Sequence, residues 1–170
     1  MVKILEPIVT NIEYYLPKID YSNSLIANNK NSISSIIKKV GIDKKYAAAN
    51  EEYATDLAIK ACEKLFQNDK ELRNKIDFII YCSQSIEHAL PAGSSLIQDR
   101  LFSGKNIGAI DINLGCSGFV YSLSIAKGMV VSNVAKCVLI ITAETYSKFI
   151  SDKNTSVRTI FGDGSCATVV

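Results

Sequence analysis

Three short, mostly apolar runs, Phe78–Cys82, Ile107–Ile112 and Cys137–Ala143, are separated by segments long enough to form a helix. This alternation restricts the fold more than any other feature of the chain. Runs this short with polar bounds suit strands covered on both faces. Strand, helix and strand in succession imply crossover units, and so an α/β fold whose sheet is mixed but mostly parallel, with helices on both faces.

The intervening segments carry the helical period. From Thr55, read as the N-cap, the residues Leu57, Ala58, Ala61, Cys62 and Leu65 recur at the spacing of one helix face. They predict an amphipathic helix to about Phe66, with Lys60, Glu63 and Lys64 toward solvent. Pro91 predicts the start of the next helix, to about Leu101. Ser117–Val131 reads as a largely apolar, buried helix, and the Ser- and Asn-rich stretch Ser22–Ser35 as a loop running into a short helix. An apolar run begins at Cys166 and reaches Val170 with no cap or turn after it, so the chain is expected to stop inside a strand and to leave a sheet edge unpaired.

A chain of 170 residues with 48% hydrophobic and 21% charged residues holds one domain with a sizeable core and is not disordered. The formal net charge of +2, with lysines spread along the chain, argues for neither nucleic acid nor an anionic membrane as partner. No apolar run approaches the roughly 20 residues that span a bilayer, and Met1–Pro7 lacks a signal-peptide core, so the cytoplasm is the expected compartment. The five cysteines, at 62, 82, 116, 137 and 166, form no C-x-x-C pair and are odd in number, which argues against a disulfide framework or a zinc knuckle. With His88 as the single histidine, no histidine-rich metal site is expected, and no cofactor is implied.

In sheets of this kind, functional residues gather where strands end and helices begin. Cys116 stands at such a place, after the strand ending near Asn113 and between Gly115 and Gly118. Glycines let the backbone turn tightly and approach a ligand. The unpaired N–H groups at the start of the next helix favour thiolate over thiol, which makes Cys116 a candidate nucleophile. The residues alone leave open that Cys116 merely packs the turn.

The stretch Asp111-Ile112-Asn113-Leu114-Gly115-Cys116-Ser117-Gly118-Phe119 resembles the nucleophile segment of the 3-oxoacyl-[acyl carrier protein] synthase III family. Phe161-Gly162-Asp163-Gly164-Ser165-Cys166-Ala167 resembles that family's glycine-rich turn. Tyr15-Leu16-Pro17, Gly41-Ile42, Thr55-Asp56-Leu57-Ala58, Ile76-Asp77-Phe78-Ile79-Ile80, His88-Ala89-Leu90-Pro91 and Ala143-Glu144 match in family order, so the resemblance covers nearly the whole chain. It implies the N-terminal half of a thiolase-like fold, residues 1–170, in which two similar halves pack into an αβαβα structure. It also implies that Cys116 takes an acyl group from a thioester. A histidine and an asparagine of the second half would then promote decarboxylative condensation with malonyl-acyl carrier protein, so the chain alone is expected to be acylated without condensing.

By the same resemblance the partners are an acyl carrier protein, an acyl-CoA or acyl-carrier-protein substrate, and a second copy in a homodimer. Leu90 falls where the family sends an apolar residue across the dimer into the partner's acyl pocket, and Phe161 is a second candidate substrate contact. His88 reads as structural or interfacial, and Phe119 and Tyr121 as core or dimer packing. The family's coenzyme A segment departs here: Gly41-Ile42-Asp43-Lys44-Lys45-Tyr46 has no arginine, and the chain has no tryptophan. Lys44 and Lys45 read either as phosphate contacts or as a solvated loop, so carrier protein could deliver both substrates. Asp163 is expected to hold its turn by hydrogen bonds, and Gly162 and Gly164 to serve backbone shape. A non-decarboxylating acyltransferase or 3-hydroxyacyl synthase, with Glu87 or Glu144 as base, is an alternative. A non-catalytic partner subunit is another.

Overall fold

The computed structural model describes residues 6–26, 30–151 and 153–170. In chain order the strands are β1 (Asn11–Tyr15), β2 (Ile19–Asp20), β3 (Tyr46–Ala47), β4 (Phe78–Cys82), β5 (Gly108–Ile112), β6 (Val138–Glu144) and β7 (Gly164–Val169). The helices are α1 (Lys30–Val40), α2 (Ala54–Asn68), α3 (Leu72–Lys75), α4 (Gly93–Phe102), α5 (Gly118–Val131) and α6 (Thr155–Arg158). β2 and β3 form a small antiparallel pair, and the other strands form one sheet in the order β1-β7-β6-β4-β5.

The expected parallel centre is present, with β4 pairing in parallel with both β5 and β6. β7 runs against its two neighbours, so four of the five strands share a direction. A crossover returns the chain to the same end of the sheet and produces parallel neighbours. Between β6 and β7 the chain instead turns back at the carboxyl end of β6, and Glu144 pairs with Gly164. The Phe161–Gly164 turn therefore lies at the same end of the sheet as the loops that follow β4 and β5.

Strand alternation divides the core into two layers. Ile79, Tyr81, Leu139, Ile141, Ala143, Ala167 and Val169 pack with α2 and α4. Ile80, Val138 and Ile140 pack on the other face with Ala126 and Val130 of α5. The first layer accounts for the apolar period of α2, in which Leu57, Ala58, Ala61, Cys62 and Leu65 are buried. Its N-cap is Tyr53 and not Thr55: the Asp56 carboxylate accepts from the Tyr53 N–H at 2.9 Å. Pro91 precedes α4 without opening it. Helix α4 begins at Gly93, and the Asp111 carboxylate on β5 accepts from the Gly93 N–H at 2.9 Å and the Ser94 N–H at 2.7 Å. A carboxylate there satisfies two orphan donors and opposes the positive end of the helix.

Helix α5 departs most from its expected burial. Gly118, Ser122, Ala126 and Val130 form a stripe of mostly small residues against the sheet. Val120, Tyr121, Ile125 and Val131 are exposed. A uniformly apolar helix shows no moment from which a buried face can be chosen; the small stripe wins because it lets α5 lie close to β4. The last residues lie on a strand, as expected, but the open edges of the sheet fall elsewhere. β7 is interior, paired with β1 and β6, and the edges of the sheet are β1 and β5. Among the described residues no helix is long and apolar enough to cross a membrane, and no group of three or more His, Cys, Asp or Glu could hold a metal.

Candidate active site

Where β4, β5 and β6 end, their loops surround a half-open cavity of about 550 Å³. Cys82 and Gln84 enter from β4, Leu114, Gly115 and Cys116 from the loop after β5, and Phe119 from α5. Thr142, Glu144 and Tyr146 come from the end of β6, and Phe161 and Gly162 from the turn before β7. The thiol of Cys116 is exposed, and Cys116 immediately precedes Ser117, the N-cap of α5. The other cysteines are buried or half-buried, and burial raises the thiol pKa of Cys62, Cys82 and Cys137 above the ordinary value.

Two close approaches shape the loop that carries Cys116. Helix α5 meets β4 at Gly118, where a Cβ would fall 2.2 Å from Cys82 Sγ. That sulfur donates to the Leu114 carbonyl at 3.2 Å, binding the loop from beneath. Gly115 lies under the Gln84 side chain, where a Cβ would stand 2.5 Å from Oε1. Gly118 is thus required by contact with the buried Cys82, whereas at Gly115 the neighbour is the flexible end of Gln84, which can move aside.

On the β6 side, Glu144 accepts from the Gln84 N–H at 2.7 Å and from the Ser85 hydroxyl at 2.5 Å, while Ser85 Oγ accepts from the Thr145 N–H at 3.0 Å. This network ties the β4–α4 loop to the end of β6. Asp163 anchors the glycine-rich turn as expected: its buried carboxylate accepts from the Ala48 N–H, the Ser147 N–H and the Ser147 hydroxyl. Gly162 and Gly164 have ordinary negative φ, so backbone freedom is not their role. Gly162 is needed for closeness, because a Cβ would lie 3.1 Å from the Tyr46 carbonyl oxygen.

Of the three candidate site residues, the structure brings Cys116 and Phe161 into one cavity and leaves Leu90 outside it, 86% exposed. His88 is exposed on the loop before α4 and does not line the Cys116 cavity. Glu87 accepts from the Thr55 N–H at 3.0 Å and from its hydroxyl, so its carboxylate is engaged by the first turn of α2. Phe119 lines the cavity, whereas Tyr121 faces outward. Lys45 overturns both of its readings. It is buried, donates to the Arg158 carbonyl and lies 5.0 Å from the Tyr21 ring centroid, and burial first, then Arg158, depresses its pKa. Cys82, Gln84, Thr142 and Tyr146 were not singled out from the sequence. The strand-end rule applied to Cys116 finds Gln84 as well when it is extended to β4.

Comparison with known proteins points one way. The family model described as 3-Oxoacyl-[acyl-carrier-protein (ACP)] synthase III matches residues 110–170. Beta-ketoacyl-[acyl-carrier-protein] synthase III 2 of Halalkalibacterium halodurans is 32% identical over 163 residues, covering 95% of this chain and 49% of the relative. The synthase III of Chlamydia muridarum is 35% identical over 159 residues, 92% of this chain and 48% of the relative. A 2.1 Å crystal structure of a 3-oxoacyl-(acyl-carrier-protein) synthase III superposes with a TM-score of 0.89 at 41% identity, over 95% of this chain and 48% of that one. The Thermus thermophilus synthase III gives 0.88 at 30% identity, over 95% and 50%. The chain spans about half the length of the curated relatives it matches.

Proposed function

The chain belongs to the 3-oxoacyl-[acyl-carrier-protein] synthase III family over the half of the family's length that it spans, and we propose that Cys116 is its acyl-accepting nucleophile. The observation that carries this reading is the exposed Cys116 thiol on the wall of a mostly apolar cavity at the carboxyl ends of three parallel strands. In the proposed step the Cys116 thiolate attacks the carbonyl carbon of an acyl thioester. A carbon–sulfur bond forms to Cys116, the bond to the donor's sulfur breaks, and the donor leaves as a thiolate that takes up a proton. The Cys116 N–H, at the start of α5, supplies one donor to the tetrahedral oxyanion.

Condensation requires more than this chain offers. An enolate oxyanion needs preorganised donors, and the single histidine is not in the cavity. Residues 1–170 form, in this reading, the first of two similar halves, with a histidine and an asparagine of the second completing decarboxylative condensation with malonyl-acyl carrier protein. The exposed apolar residues of α5 and the exposed Leu90 support packing against that half and a second copy. The non-decarboxylating alternative loses Glu87 to α2. It retains Glu144 in the cavity, with its carboxylate already engaged by the Gln84 N–H and the Ser85 hydroxyl.

The test is intact-mass detection of covalent adducts after incubation with acetyl and longer acyl donors on coenzyme A and on carrier protein, beside Cys116→Ser. Adducts on the wild type alone are expected, with no free condensation product. No adduct from any donor on the folded protein would overturn the assignment.

A further inference from the structure

We propose that Gln84 selects the acyl group carried by Cys116, favouring short chains that bear a hydroxyl or carbonyl oxygen near the thioester over plain alkyl chains of equal length. The proposal rests on the acyl-transfer reading and adds the substrate class. Most of the cavity wall is apolar: Leu114, Phe119 and Phe161, with Cys82 behind them. Such a wall separates acyl groups by length, roughly tenfold to two-hundredfold per methylene, and does not favour a polar group over an alkyl group of equal length.

The polar side chains on the wall differ in what they have left to offer. Glu144 is held by the Gln84 N–H and the Ser85 hydroxyl. Tyr146 packs its ring against Phe161, 4.9 Å between centroids. Among the described residues the Thr142 and Tyr146 hydroxyls and the Gln84 carboxamide make no protein hydrogen bond, and of these groups it is Gln84 that stands over the nucleophile loop. Its backbone is pinned to Glu144, and its carboxamide lies against Gly115, the residue before the nucleophile. The pinned backbone keeps the carboxamide over the loop that carries Cys116, where it can meet a substrate.

When the acyl group passes from donor sulfur to Cys116 Sγ, with the donor leaving as its thiol, the first carbons of the chain enter this cavity and displace water from the carboxamide. An alkyl chain leaves the amide unpaired, whereas an oxygen on the third carbon restores a hydrogen bond. A polar group left unpaired on desolvation is the arrangement that discriminates between substrates of similar size.

The experiment is a competition. The protein is incubated with equal concentrations of butyryl-CoA and 3-hydroxybutyryl-CoA, and the two Cys116 adducts are quantified by intact mass. The wild type is expected to favour the hydroxylated adduct roughly tenfold, the ratio one unmade hydrogen bond produces. Gln84→Leu is expected to abolish or reverse that ratio. Gln84→Asn, which keeps the amide but withdraws it by one methylene, is expected to fall between them and carries the test should Gln84→Leu not fold. Equal adducts on the wild type, or an unchanged ratio in a folded variant, would overturn the role of Gln84 and leave acyl transfer standing. No adduct from either donor would overturn both.

Discussion

Replacing Gly118 with alanine tests how the nucleophile loop is held. The new methyl would sit 2.2 Å from Cys82 Sγ and 3.2 Å from Leu114 Cβ. Cys82 has only its χ1 to turn, and turning it breaks the hydrogen bond to the Leu114 carbonyl. The alternative is for α5 to lift from β4, and overpacking of this kind costs about 1–3 kcal/mol. Alanine in a helix returns at most about 1 kcal/mol relative to glycine. The net loss is therefore expected at about 1–2 kcal/mol, or roughly 2–8 °C in Tm for a chain of this size. Removing the sulfur removes the collision, since Cys82 Cβ lies at an ordinary 3.8 Å and the exposed Leu114 can yield. In a Cys82→Ala background, Gly118→Ala should thus be neutral or stabilising. The assay is a double-mutant cycle by urea unfolding, with the Cys116 alkylation rate as a probe of loop geometry. Equal losses in both backgrounds would refute the contact as the reason for glycine.

Asp111→Ala should destabilise by about 1–2 kcal/mol in urea, through loss of the two hydrogen bonds that cap α4, while Asp111→Asn retains part of that stability. The hydrogen-bonded pair of Glu52 and Lys60 has a signed pH dependence: the hydrogen bond to Lys60 holds the Glu52 pKa below its ordinary 4.5 and raises that of Lys60 above 10.5. The pair's contribution is therefore complete between those values, lost as pH falls through the depressed Glu52 pKa and lost again as pH rises through the elevated Lys60 pKa. The difference in urea midpoint between wild type and Glu52→Gln should shrink at both extremes; a constant difference would contradict the pairing. Limiting iodoacetamide near neutral pH should label Cys116 before Cys62, Cys82 and Cys137, as read by peptide mapping, because burial keeps those three protonated and shielded.

What the sequence determined by itself was local. The run Phe78–Cys82 is β4 to the residue, α2 follows the apolar period from Leu57 to Leu65, and the loop between β5 and α5 carries Cys116 because glycines and a strand-to-helix change are legible within a few residues. The order of motifs along nearly the whole chain carried the family as well, since each motif is itself a short-range pattern. Two candidate site residues, Cys116 and Phe161, could be named that way.

Only the tertiary structure decided which way β7 runs, because strand direction depends on where a long connection re-enters the sheet and not on the strand's own residues. It also decided that Phe161 and Cys116, far apart in the chain, share a cavity, that Leu90 does not, and that Gln84 lies over Gly115. Burial of Lys45, engagement of Glu87 by Thr55 and the choice of a small-residue face on α5 belong to the same class. Each turns on partners many residues away, and a side chain's own chemistry does not say whether it will meet water, a helix terminus or another strand.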